Sequence, residues 1–449
     1  MYRWLLASRY LLKRRITWFA VLAVMLCVFI VVVVMTVLTG LVRDFTAKNH
    51  EFVGDVVVGT ESLVGFAYYE GFLERLGQAD FVAATSPVVK SYALISPADS
   101  DRNIGVEVMG IDLALHCRVT GFAATLHYHA GDWPRAFEPA GAPDLPGCIL
   151  GIDLALDRDR YGRYNFGPSI PRISLAVTCF PLTARGALAL AGTSVATTKT
   201  FHYSDTSQSG LARVDSAMIY LPIEPLQAMC GMDGPTKRIT AIHVKLADGV
   251  KVPVGREKIA ALWDRYKAEN AQQPQAHLLE TVRVQGWKEN RRSFIAAMEK
   301  EQTMMTALFG LVGITAVFIV FVVFYMIISN KTRDIGVLKS VGVSSLNVVR
   351  LFMGFAFCVG AIGSLLGMAG GLLFLRRANQ IEGWLFEHFG FQIWDRSLYV
   401  IGDIPNQAEP RMLVVIAAMA VLACLAGALI PSGRAARLRP VDTLTVARL

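Results

Sequence analysis

Four stretches of the chain carry no charged side chain: Ile16 to Val42, Gln302 to Asn330, Leu351 to Leu375 and Met412 to Gly433. Each has at least the roughly 20 residues that a helix rising about 1.5 Å per residue needs to cross a hydrocarbon core of about 30 Å. The pattern predicts four transmembrane helices, at 16–42, 302–330, 351–375 and 412–433. The first follows a basic start, "LLKRR", as a signal peptide would. Its apolar run exceeds the usual h-region, however, and "VLTGLVRDF" is a poor cleavage site, so it reads as an uncleaved anchor.

Between the first two runs the pattern changes. "DVVVGTES", "NIGVEVMGID", "RISLAVTCF", "SAMIYLPI" and "RITAIHVKLAD" are short β-branched runs bounded by Gly, Asp and Pro, and they predict strands. "YYEGFLERLGQ" and "GREKIAALWDRYKAEN" have helical spacing, the latter aligning Ile259, Leu262 and Tyr266. Residues 43–301 therefore predict a large α+β domain, in two subdomains, with an irregular excursion from Gly131 to Pro171. From "LLETVRVQGW" through "KENRRSFIAAMEKEQTMM" the pattern predicts a helix running almost unbroken into the second span, coupling the domain to the membrane.

Composition agrees with a membrane protein: 53% of residues are hydrophobic and only 18% charged. The net charge of +8 gives no case for nucleic acid once it is located. The basic excess sits in 1–15 (Arg3, Arg9, Lys13, Arg14, Arg15), in the 331–350 loop and in the 434–449 tail, whereas 43–301 and the 376–411 loop are slightly acidic. Short loops rich in Lys and Arg stay on the cytoplasmic side. Both termini and 331–350 are thus expected in the cytoplasm, with 43–301 and 376–411 outside.

Catalytic chemistry has no positive signal. There is no GxxxxGK[ST] loop to cradle phosphates, no G-x-S-x-G elbow and no H-E-x-x-H pair. "HYH", 127–129, would put two imidazoles on one face of a strand, but no third metal ligand stands nearby. No span carries an ionisable side chain well inside it, which disfavours an ion-driven transporter. Cys27, Cys358 and Cys424 fall in spans. Cys117, Cys148, Cys179 and Cys230 fall in the outer domain, where four thiols allow three full pairings and spacing does not choose among them.

The loop between the second and third spans, "SNKTRDIGVLKSVG", is more ordered than a slack connector requires. Lys331, Arg333, Asp334 and Lys339 would each cost roughly 2.5 to 3.5 kcal/mol at mid-membrane, so the segment lies outside the bilayer. Asp334 suits a helix N-terminus, Lys339 a C-terminus, and Gly342 a stop. Ile335, Leu338 and Val341 then share one face, predicting a short amphipathic helix offered to the interface or to a partner. In the third span Gly363, Gly367 and Gly371 recur every fourth residue and allow close backbone approach, either by this chain's own helices or by a partner subunit.

These residues resemble a known family. "NKTRDIGVLKSVGVSS", the glycine-rich "GFAFCVGAIGSLLGMAGG" and the ending "IPSGRAARLRPVDTL" look like the FtsX-like permease domain of macrolide-exporter-type ABC transporters. "LLASRYLLKRR", "VEVMGID", "LPIEPLQAM", "VQGWKENRRSFIAAMEKEQTMM" and "LYVIGDIP" are similar to segments of the lipoprotein-releasing permeases. The stretch from Thr120 to Ser216 does not align with them. The resemblance implies a non-catalytic inner-membrane subunit with a MacB-like periplasmic domain, working with a cytoplasmic ABC ATPase dimer and a second permease copy or paralogue. It also implies mechanotransmission to the periplasmic domain, a periplasmic lipoprotein chaperone as a further partner, and ATP and Mg held by the ATPase rather than by this chain. Thr332, Arg333, Asp334, Ile335, Gly336, Leu338, Lys339 and Gly342 match the family's coupling helix. An alternative is an ATPase-coupled regulator of an envelope hydrolase or sensor kinase that transports nothing.

Overall fold

The structure is a computed structural model and describes residues 15–97, 103–159, 164–167, 169–189, 195–329, 337, 339–390 and 404–437. The described residues divide into two compact units, one built on the long apolar helices and one spanning Asp44–Ala296.

Four helices are long and apolar enough to cross a membrane: Arg15–Val53, Arg292–Ser329, Ser345–Phe389 and Pro410–Arg437. Three of them share a core in which Val21, Val24, Val28 and Val32 recur at helical spacing against Phe355, Ala356 and Val359, with Cys424 and Ala428. The helix Ser345–Phe389 outlasts the charge-free run that predicts it. Arg376, Arg377, Ala378, Gln380 and Glu382 favour helix, and only at Gly390, with φ +63°, does the chain turn left-handed and donate its N–H to Phe386 O at 2.9 Å. Its start is fixed by Ser344, whose side chain accepts from the Asn347 N–H. The helix Arg292–Ser329 turns Leu308, Leu311, Ile314 and Phe318 outward.

The outer unit is α+β. Its strands are β1 (Val56–Gly59), β2 (Phe66–Ala67), β3 (Val82–Pro97), β4 (Ile104–Ile111), β5 (Gly147–Gly151), β6 (Ser174–Cys179), β7 (Thr197–Ser207), β8 (Met218–Pro222), β9 (Arg238–Ile239), β10 (Ala241–Leu246) and β11 (Arg283–Gly286). Nine of them form one sheet in the order β11-β1-β10-β3-β4-β8-β5-β7-β6, and β3 also pairs with β6. β3 serves both halves: Val82–Val88 pairs with β10, and Ala93–Pro97 pairs with β6, so that part of the sheet closes on itself. One face is covered by the helices Tyr69–Gly77 and Val252–Glu269, with Trp263 edge-on to Phe72 at 4.8 Å and to Phe66 at 5.6 Å. The buried stripe of the second of these helices is Ile259, Trp263 and Tyr266, with Leu262 on its flank.

Three expectations change. Residues before the second span do not continue its helix: Ala276–Thr281 is a 3-10 turn, Arg283–Gly286 is β11 paired with β1, and Trp287–Asn290 is a separate short helix. Val284 and its neighbours are captured by the edge of β1, and Arg291, at φ −99° and ψ 16°, breaks the path before Arg292. The Gly131–Pro171 excursion contains a fully buried strand, β5, too short for its periodicity to be read. "HYH" is a turn: His127 stacks on Phe166 at 3.5 Å, while His129 bonds through Nδ1 to Asp205 Oδ2 at 3.0 Å. The two imidazoles thus have separate partners.

Candidate functional site

The glycines of the third span pack on the first. A Cβ added at Gly363 would lie 2.8 Å from Val24 Cγ1, one at Gly367 2.6 Å from Met25 O, and one at Gly371 3.0 Å from Val32 Cγ1. Glycine at all three lets the two backbones approach this closely. Beside this seam, Trp18, Phe19, Val21, Leu22, Met25 and Leu366 line an open apolar groove of about 450 Å³.

In the outer unit, the end of the first long helix is tied to the segment that leads into the second. Arg291 donates through Nε to Asn49 Oδ1 at 2.9 Å and lies over the rings of Phe52 (4.9 Å) and Phe294 (4.6 Å). Asn49 is fully buried and donates in turn to Phe45 O at 2.9 Å. His50 stacks on Trp287 with ring centres 4.6 Å apart and bonds to Asp55 at 2.8 Å. Asp55 also accepts from the Leu246 N–H, and its carbonyl accepts from Trp287 N–H. Burial pushes the Arg291 guanidinium down to about 10, which leaves it charged at neutral pH. Sequence reasoning missed this clamp because its members are about 240 positions apart in the chain, although "ENRRSF" puts two arginines directly before an apolar helix.

Of the residues expected to couple to an ATPase, Lys339 and Gly342 are described, whereas Thr332, Arg333, Asp334, Ile335, Gly336 and Leu338 lie outside the described residues. Val341 N–H donates to Val337 O at 3.2 Å and Gly342 N–H to Lys339 O at 3.0 Å, so one helical turn closes here. Gly342, with φ +96°, ends it in the left-handed region that favours glycine. Lys339 Nζ donates to Ala436 O at 2.8 Å, the carbonyl end of the last helix. Val341 is 80% exposed and Val337 48%. Two uncovered valines one turn apart form an apolar contact point.

Residues 306–440 match the family model described as FtsX-like permease C-terminal. That region of the chain is similar to the C-terminal domain of FtsX-like permeases. Among curated relatives, the chain is 24% identical over 246 residues to the lipoprotein-releasing system transmembrane protein LolC of Xylella fastidiosa (strain 9a5c), 55% of each sequence. It is 23% identical over 368 residues to the LolC of Neisseria meningitidis serogroup B (strain ATCC BAA-335 / MC58), covering 81% of this chain and 78% of that one. The match thus spans about half the length of the first relative and more of the second. Among solved structures, the periplasmic region of MacB from Actinobacillus actinomycetemcomitans aligns at a TM-score of 0.31 and 10% identity, over 54% of this chain and 94% of that one.

Proposed function

We propose that this chain is the permease subunit of an ABC transporter, driven by ATPases in a partner chain, and that it releases lipoproteins from the inner membrane. The observation that carries this reading is the match of residues 306–440 to the FtsX-like permease model, alongside relatives named for lipoprotein release. On this reading both termini and 331–350 are cytoplasmic, and 43–301 and 376–411 are periplasmic. The exposed Val337 and Val341 turn belongs to the segment that docks on the ATPase, which binds the ATP and Mg. A second copy or a paralogue completes the permease, and a periplasmic chaperone receives the substrate.

The transmitted quantity is movement. ATPase closure displaces the 331–350 segment, the helix Arg292–Ser329 carries the displacement, and the Arg291–Asn49 clamp passes it into the outer sheet. Proteoliposomes containing the chain, its ATPase and a triacylated lipoprotein test the reading. ATP-dependent appearance of the lipoprotein in the soluble fraction, lost when the permease is omitted, is the expected result. Robust ATPase binding with no lipoprotein released under any condition would leave the permease role and remove the substrate.

A further inference from the structure

Of the four outer cysteines, two meet. Cys179 ends β6 and Cys230 follows the helix Ile223–Met229, and both belong to the same core, at 0% and 2% exposure. Their backbones run side by side: Leu182 N–H donates to Cys230 O at 3.1 Å, and a Cβ at Gly231 would lie 3.2 Å from Pro181 Cβ. The two cysteines are thus neighbours in one buried cluster, with the segments that carry them in direct backbone contact. Beside Cys230 stand the hydroxyl of Ser91 and the guanidinium of Arg238, which is pinned by the carbonyls of Val64 at 2.8 Å and Leu182 at 2.9 Å. The neighbouring Cys179 thiol, then Ser91 and Arg238, draw the Cys230 thiol below its usual range despite burial, while Cys230 and burial push Cys179 up. Cys148 differs. It is equally buried, on β5, but burial is the single cause acting on its thiol.

We propose that Cys179 and Cys230, free thiols in this structure, are joined as an intrachain disulfide in the protein as it exists in the cell; this rests on the reading above that residues 43–301 face the periplasm. The oxidant is an external disulfide, such as an oxidised dithiol protein of that compartment. Cys230 is the attacking thiolate: it displaces one thiolate from the oxidant to form a mixed disulfide. Cys179, deprotonated, then attacks the Cys230 sulfur and expels the second thiolate. Two protons leave, one sulfur–sulfur bond forms and one is broken, and the oxidant is reduced to its dithiol. Because both sulfurs are buried in the finished fold, the exchange takes place while β6 and the Ile223–Met229 helix are still docking. The bridge then fastens the end of the closed half of the sheet to the strap around Arg238.

The test is made on the full chain, extracted from membranes in detergent without reductant. Free thiols are blocked with N-ethylmaleimide under denaturing conditions before digestion and mass spectrometry, and a parallel strain carries alkaline phosphatase fused within the outer domain. The expected result is a linked Cys179–Cys230 peptide that dithiothreitol separates, with Cys148 alkylated throughout. Both thiols alkylated in a strain whose fusion is active overturns the bridge. An inactive fusion overturns the periplasmic placement instead. The bridge must then still form when the solubilised chain meets oxidised glutathione in moderate denaturant, and its failure there overturns it as well. As a second readout, Cys179→Ser, Cys230→Ser and the double variant should share one drop in Tm on the order of 10 °C, matched by reduction of the wild type. Additive drops would mean two separate packing losses.

Discussion

His243 lies on β10 with both ring nitrogens buried and without a hydrogen-bond partner among the described residues. Its neighbours are basic: His116, whose ring centre is 5.7 Å away, Lys90 and Arg291. Burial first, and then these positive neighbours, holds His243 well below the ordinary imidazole value, and burial with Lys90 pushes His116 down to about 3. The unfolded chain therefore takes up two protons near pH 6.5 that the folded domain refuses. Stability is fully present above that pH and is lost as pH falls from 6.5 toward the folded values, by up to about 1.4 kcal/mol per pH unit for each imidazole. A Tm series from pH 7.5 to 5 should show a steep decline that is roughly halved in His243→Leu. An unchanged slope in that variant would mean that carboxylates, and not this pair, set the acid limit.

Among elements, the glycine seam is where sequence and structure meet most directly. Replacing Gly367 with Leu puts a side chain where a Cβ alone is 2.6 Å from the Met25 carbonyl and 2.8 Å from Val28 Cβ, so the first and third spans must separate. Gly354, in the same helix, has nothing within 4 Å of such a Cβ. G367L should lower the melting temperature in detergent by several degrees and reduce yield, as expected for overpacking costing about 1 to 3 kcal/mol, while Gly354→Ala should be neutral; equal melting of the two would place the seam's tolerance in the surrounding lipid. The seam was legible because a four-residue glycine repeat in an apolar run has few other uses, although the repeat does not say which helix fills it. The strands β1, β4, β6, β8 and β10 were legible because each is a β-branched run between turn residues. β3 was not: Pro87 and the polar Thr85, Ser86, Lys90 and Ser91 interrupt its pattern, and it is a strand because β10, β4 and β6 satisfy its backbone in turn. The clamp at Arg291 was illegible for a related reason, since hydrogen-bond partners distant in sequence leave no local period.

At the scale of the whole molecule, the proposed transport cycle depends on an ATPase contact expected in 331–350, of which residues 337 and 339–350 are described. In the turn ending at Gly342, Val337 and Val341 are exposed, Ser340 Oγ donates to Val337 O at 2.8 Å, and Lys339 Nζ donates to Ala436 O. The two valines give the turn apolar surface, and burying them against a partner is worth roughly 1.5 to 3 kcal/mol each. Val341→Asp replaces that gain with the desolvation of a carboxylate, whereas Ser340→Ala removes one local hydrogen bond and leaves both valines in place. In detergent or proteoliposomes, V341D should weaken capture of the ATPase at least tenfold and remove stimulation of ATP hydrolysis by the permease, with the Tm of the outer domain unchanged. Val337→Asp should act in the same direction but less, since Val337 is already half covered. The outer-domain melt separates a lost contact from a misfolded chain, and S340A guards against a general effect of mutating the turn. Unimpaired capture in both valine variants would move the docking point to another part of 331–350 and take the force path through Arg292–Ser329 with it.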